Sequence, residues 1–180
     1  NKINLNLLQV ESKNLIKFLL ILKEKNTNKI KKLLNDSVKS IIILNKEFNK
    51  TDKKIRNDII KYSSEFFIIF LKSIDQYLFD KVIHLLKNNI FDFDSYYYIY
   101  DLLMNFYAMI TDLYSMFRLF KKYNTKTDNH PNFCYNSIIY TGSFHTSNYH
   151  YILKKLGFID KNIGKQVNKD NCLELFEDLF

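Results

Sequence analysis

A chain of 180 residues can bury a core of its own without disulfide or metal staples, and a single domain is the expected outcome. Hydrophobic residues make up 47%, with 16 Phe and 13 Tyr, which excludes a disordered chain, while three Gly and one Pro are too few for an all-β fold with its many turns. The net charge of +8 lies wholly in the first half: residues 1–91 carry 18 Lys and Arg against 9 Asp and Glu, residues 92–180 carry 9 against 10.

Taken in chain order, Leu8, Leu15, Leu19 and Leu22, widened by Ile16 and Phe18, recur at helical spacing and predict an amphipathic helix over 5–25. Thr27 is the expected N-cap of a second helix through Ile30, Leu33, Leu34, Val38, Ile41 and Leu44, with a strand at SIIIL (40–44) as the competing reading. Lys50-Thr51-Asp52 punctuates the chain, and a third helical stretch covers about 52–88, with Asp75 a candidate break. No apolar run reaches the length of a membrane span. The two cysteines, Cys134 and Cys172, are too few and too far apart for a metal knuckle or a disulfide framework and read as reduced thiols of a cytosolic chain, with a single bridge between them as the alternative.

Residues 95–122 form the longest apolar periodic segment. Leu103, Phe106, Ile110, Leu113, Phe117 and Phe120 share one face, and Asp101, Asn105, Ala108, Asp112 and Ser115 form a narrow seam of small or polar groups on another. A helix this apolar belongs at the centre of the fold. A loop over 123–136 then precedes SIIYT (137–141), whose β-branched residues predict a strand. Gly142 stops it, SFHTSN comes next, and Tyr149, Ile152, Leu153 and Leu156 return to helical spacing before closing on Gly157. Such a strand needs a ladder partner, for which GFID (157–160) and CLEL (172–175) are the local candidates. The expected fold is therefore mostly α, a helical domain with a small α/β element (strand-turn-helix) within 136–176. Its basic helical half spans 1–91, and the buried helix and the turn lie in 92–180. The unpartnered strand, with Asn at position 1, leads us to expect a fragment lacking upstream residues.

A turn at the carboxyl end of a strand, opening a helix, offers free backbone N–H groups and a partial positive charge, and His145 falls in it. Imidazole there suits a general base, a metal ligand or a phosphate partner, although a lone turn histidine is more often a capping or solvent-facing residue. His150 and His84 read as surface positions on helices, and His130, beside Pro131, as a loop residue.

Three pieces in order, TDLYSMFRLFKKY (111–123), NSIIYTGSFHTSNYHYILKKLGF (136–158) and NCLELFEDLF (171–180), resemble the C-terminal half of uncharacterised proteins of large nucleocytoplasmic DNA viruses. Those proteins pair an Asp-Leu-Tyr…Arg helix with a Tyr-x-Gly-x-x-His-x-x-Asn-Tyr turn. The turn is also similar to the Gly-x-x-His of a hydrolase-like superfamily that includes the ChaN, TraB/TIKI and erythromycin-esterase proteins. The resemblance implies a site in which His145 is base or ligand to a divalent metal, Gly142 allows close backbone approach, and Asn148 or Tyr149 orients. Asp112 and Arg118 would line the same pocket as further catalytic groups, although they stand about 120° apart on their helix. It further implies a viral protein of the host cytoplasm (viral factory) or the virion, partnered by another viral protein or by the upstream segment. The superfamily's amino-terminal motif, a strand followed by an acidic or histidine group, is absent from 1–60.

Three functions compete on these grounds. The first is the C-terminal part of a hydrolase-like domain centred on His145. The second is a non-catalytic helical interaction or virion-associated protein that keeps the turn as architecture. The third is nucleic-acid binding through Lys25, Lys29, Lys31, Lys32, Lys39, Lys46, Lys50, Lys53, Lys54 and Arg56. Against the third, lysine on the polar face of amphipathic helices is ordinary solvation, and the Asn, Lys, Ile, Tyr and Phe bias is that of AT-rich coding sequence. The carboxylate pairs Asp92/Asp94 and Glu177/Asp178 sit in segments that read as a connector and a tail. No phosphate-binding glycine loop, Cys-x-x-Cys, serine nucleophile elbow or dinucleotide fingerprint occurs.

Overall fold

A computed structural model describes residues 5–88, 90, 92–123, 137, 139, 141–159, 166–167 and 172–173, the backbone alone for 5–12, 166–167 and 172–173. Among these residues seven helices run in order: α1 (Leu5–Lys23), α2 (Thr27–Ser40), α3 (Ile42–Lys50), α4 (Lys53–Lys72), α5 (Gln76–Lys87), α6 (Phe93–Leu119) and α7 (Ser143–Lys155). The fold is mostly helical, as expected.

Side-chain caps set several of the boundaries. Asn26, one residue before the expected Thr27, caps α2 by accepting from the Asn28 and Lys29 amides at 3.0 and 3.2 Å. Asp52 caps α4 at 2.8 and 3.3 Å, and Asp75 caps α5 at 2.9 Å, so the stretch 52–88 divides where Asp75 suggested. The single helix expected over 27–44 is instead broken at Ile41, whose backbone is extended (φ −101°, ψ 112°). Ser37 and Ser40 bond back to the Leu33 and Asp36 carbonyls just before three consecutive β-branched residues, a combination that weakens a helix. The competing strand at 40–44 does not form either, because helix resumes at Ile42.

All seven helices contribute to one core. Leu19 and Leu22 of α1, Ile30, Leu34 and Val38 of α2, Ile59, Ile60, Phe67 and Leu71 of α4, and Phe79 of α5 are buried together with the inner face of α6. Fully burying such a side chain contributes roughly 1.5–3 kcal/mol, so this shared interior dominates stability. The central position expected for the apolar segment is observed, since α6 packs against α2, α3, α4, α5 and α7. Edge-on rings fasten it: Phe106 meets Phe18 of α1 at 5.1 Å, and Phe117 meets Phe48 of α3 at 5.5 Å. Buried Thr51 donates to the Phe117 carbonyl at 3.1 Å and pairs with Lys121, which ties the α3–α4 turn to the end of α6.

The expected strand-turn-helix element is not supported. Ser137, Ile139 and Thr141, the described residues of SIIYT, are not in a strand. Cys172–Leu173, one of the candidate partners, pairs antiparallel with Gln166–Val167 over two residues each. The helix of that element does form in its expected place: α7 starts after Gly142 and ends in a glycine stop. Gly157 (φ 94°) lets the Phe158 amide reach the Leu153 carbonyl at 3.0 Å and its own amide reach the Lys154 carbonyl at 3.1 Å. Phe158 then packs edge-on against Phe120 at 5.9 Å, returning the chain to the end of α6.

Candidate functional site

Where α7 crosses the second half of α6, its polar residues meet the seam of small and polar groups on that helix. Asp112 sits fully buried in the seam, one residue from Leu113 and five from Phe117, both in the core. A carboxylate in such a place needs donors, and α7 supplies them at helical spacing. His145 Nδ1 lies 2.6 Å from one Asp112 oxygen, and Asn148 Nδ2 donates to the other at 2.6 Å. The Tyr149 hydroxyl completes the cluster beside Asp112 and Ser115. His145, Asn148 and Tyr149 of the His-x-x-Asn-Tyr segment therefore converge on one carboxylate, 33 to 37 positions earlier in the chain.

The electrostatics follow from that burial. Loss of water raises the Asp112 pKa above its ordinary 3.8, while the hydrogen bonds from Asn148, His145 and Tyr149 work to keep it down. Desolvation pushes the Tyr149 phenol up to about 12, so it remains a hydroxyl at neutral pH. An ionised Asp112 accepts only, so Nδ1 of His145 would donate to it, with Nε2 on the opposite edge of the ring. A third of the His145 side chain is exposed, against none of Asp112, so the imidazole bridges interior and solvent. Phe144 stands edge-on to it at 5.9 Å. Asn148 is fully buried, and its Oδ1 lacks a donor among the described protein groups.

Of the residues singled out in the sequence, the structure brings His145, Asp112, Asn148 and Tyr149 together. Arg118 is not among them: it is exposed, with Nη1 3.2 Å from the Tyr114 hydroxyl and its guanidinium 5.8 Å over that ring. The cause is the 120° offset along α6, which turns Arg118 out as Asp112 turns in. Gly142 has an ordinary φ of −68°, and a Cβ there would meet nothing within 4 Å among the described residues, none of which requires the glycine. A divalent metal would find only one imidazole and one carboxylate here, the carboxylate already hydrogen-bonded through both oxygens. Among the described residues, no group of three or more His, Cys, Asp or Glu could hold an ion. Those residues do not fit the metal that the resemblance implied.

The opposite face of α7 carries Ser143, Ser147, His150 and Lys154 and looks onto the apolar Phe66, Ile69 and Phe70 of α4. Against α4 it forms two adjoining cavities of about 570 and 360 Å³ that share Phe66, Ile69 and Ser147. His145 lines neither. His150 lines the larger, and His84 is exposed on α5, close to its expected place. His130, Cys134, Glu177 and Asp178 lie outside the described residues. Within the basic first half, Arg56 is engaged by the fold, donating to the Phe48 carbonyl at 3.0 Å and stacking 4.2 Å over the Phe48 ring. Lys25 donates to the Ile74 carbonyl at 3.3 Å, and Lys29 pairs with Glu24. Three of the ten cations proposed to face nucleic acid thus have partners within the chain.

Two features carry little signal in the sequence. Phe144, which flanks the imidazole, is not set apart from the general abundance of Phe. The exposed edge of α6 is the other, although its 4-3-4-3 spacing is there to be read. No helix of the described residues is long and apolar enough to cross a membrane. No protein-family model, curated protein or solved structure matches the chain.

Proposed function

We propose that the chain carries the histidine half of a hydrolase-like acid–base site, with His145 as the base and Asp112 as the group that orients it. The observation that carries this reading is the convergence of His145, Asn148 and Tyr149 on the buried Asp112 carboxylate. A carboxylate behind Nδ1 fixes the tautomer that presents Nε2 as a base and stabilises the imidazolium formed when it takes a proton. In such a step Nε2 removes a proton from water as the water oxygen attacks an acyl or phosphoryl centre. The same proton then passes to the leaving group, and the other proton stays on Nδ1 of His145, donated to Asp112 throughout. The reading needs no metal, and the described residues offer no cluster for one.

The test is turnover of p-nitrophenyl acetate and bis(p-nitrophenyl) phosphate by the chain and by His145→Gln, with helix content checked by circular dichroism. Loss of general-base catalysis costs typically 10²–10⁴-fold, so a fall of at least about 100-fold is expected. An equal rate in the folded variant, or no turnover of either ester by the parent chain, removes the catalytic reading.

A non-catalytic interaction protein is the second reading, and it is favoured by the absence of strand at the described residues Ser137, Ile139 and Thr141, which the expected strand-turn-helix element called for. In that case the same cluster serves to pin α7 onto α6. Nucleic-acid binding by the basic half has less support, given the internal partners of Lys25, Lys29 and Arg56.

A further inference from the structure

A second surface is independent of the His145 site. Phe93, Tyr97, Tyr100, Met104 and Tyr107 succeed one another along α6 at spacings of four, three, four and three, and each is between 49% and 81% exposed. Tyr96, at 57%, widens the stripe. Contiguous exposed apolar area of this kind marks an interaction site, and the alternating spacing is that of a helix which lays its edge against another helix. The buried face of α6 is elsewhere, through Leu102, Phe106, Met109, Leu113 and Met116, so the stripe is surplus to the core.

We infer that this stripe is the self-association face of the protein, where α6 packs antiparallel on α6 of a second copy about a two-fold axis near Tyr100. The spacing is almost palindromic about that residue, so the axis sets Phe93 opposite Tyr107 of the second copy and Tyr97 close to its Met104. Area decides for a second copy. At about 200 Å² for each large side chain, the fractions exposed sum to on the order of 700 Å² per chain, close to the ~800 Å² a stable two-fold interface takes from each partner. The smaller apolar corner at Ile41, Ile42 and Ile43 presents three residues and would cover less than half of the stripe.

Charge gives the interface a signature. From residue 88 to 117 this chain, otherwise rich in lysine, has no Lys or Arg, and Asp94 and Asp101 flank the stripe on one side. In the antiparallel arrangement Asp101 faces its own copy across the axis, while Asp94 meets the neighbourhood of Ala108. The dimer should therefore tighten as salt rises, and Asp101→Asn should tighten it by about two-fold, the usual effect of relieving one like-charge helix pair. An interface with a basic partner would respond in the opposite sense.

The experiment is sedimentation equilibrium of the chain, of Asp101→Asn and of Tyr100→Glu, at low and high salt. The proposal expects a reversible dimer, tightened by Asp101→Asn and by salt, and weakened at least about 100-fold by Tyr100→Glu, as for a central interface anchor. Helix content unchanged in Tyr100→Glu confirms that the variant folds. Orientation is read by oxidising Phe93→Cys and Tyr107→Cys in a background with Cys134 and Cys172 replaced by Ser. The antiparallel pairing requires a cross-link when the two variants are mixed and none within either alone. A chain monomeric at every concentration and salt, or a Phe93→Cys homodimer cross-link, overturns the proposal.

Discussion

Along α6, residues 93–107 hold large aromatic side chains out to solvent, whereas residues 108–119 take a carboxylate into the core. The same helix thus breaks the usual partition twice, in opposite directions. The packing around each half explains how. Near Asp112, α7 closes over α6 and Phe48 and Thr51 hold the end of the helix, so a polar group there is cut off from water and must find protein donors. In the first half Tyr98 meets Phe79 and Phe106 meets Phe18 on the inner side, while the outer edge from Phe93 to Tyr107 stays exposed. Burial without water makes each polar contact expensive to lose, and exposure makes each apolar contact inexpensive to lose in the monomer. The two halves should therefore respond to mutation in separate ways.

The largest effect belongs to Asp112→Ala. It leaves Asn148 Nδ2 buried without its acceptor, frees Nδ1 of His145 and opens a small void, a combination that should cost about 3 kcal/mol by urea denaturation. The control is Tyr100→Ser, which in the monomer should stay within about 0.5 kcal/mol, as surface substitutions do. If the two costs are equal, the contrast between the halves is wrong. A next, smaller test uses pH. Burial raises the Asp112 pKa in the fold above the unfolded 3.8, so the native state holds more protons in the window starting there. Stability contributed by this group is then greatest at the acid side of the window and falls as pH rises through it. Asp112→Asn removes the carboxyl and should flatten that slope, which is read by comparing unfolding free energies of the two chains between about pH 4 and pH 6.

How much of this is legible in the sequence depends on whether the deciding contact is local. The helices, the division at Asp75 and the glycine stop at Gly157 arise from spacing and from groups within a turn of one another, and the sequence shows them directly. The meeting of His145 and Asn148 with Asp112 is foreshadowed only as one pocket implied by a resemblance. No sequence rule states that a polar group in an apolar helix will be answered from a given later helix. The strand expected at 137–141 is not supported at its described residues, because β-branched composition reports a preference while pairing decides a strand, and the candidate Cys172–Leu173 pairs with Gln166–Val167. The break at Ile41 is hidden because Ile41 and Leu44 continue the helical spacing of Leu34 and Val38 across it. In α6 the stripe is masked by abundance. Phe and Tyr occupy so many positions of 93–107 that the apolar pattern runs nearly all round the helix, and the core takes Leu102 and Met109 rather than the aromatics at the outer edge.

The smallest effect concerns Gly142, where the catalytic and architectural readings of the turn part company. The residue occupies the N-cap position of α7, no side chain caps the helix there, and a Cβ would stand in open space with the backbone at an ordinary φ of −68°. Serine in this position should donate nothing to the core but accept a hydrogen bond from an amide of the first turn. Gly142→Ser is therefore expected to leave stability unchanged or raise it by a few tenths of a kcal/mol, measured as a thermal midpoint. If architecture alone kept glycine here, the substitution would cost stability, and it has no steric reason to do so. If the glycine instead leaves room for a substrate against the helix N-terminus beside His145, Gly142→Ser should lower ester turnover while the thermal midpoint holds or rises. Turnover and midpoint moving apart in that sense would tie Gly142 to the chemistry of His145, and turnover unchanged in the stable variant would detach it.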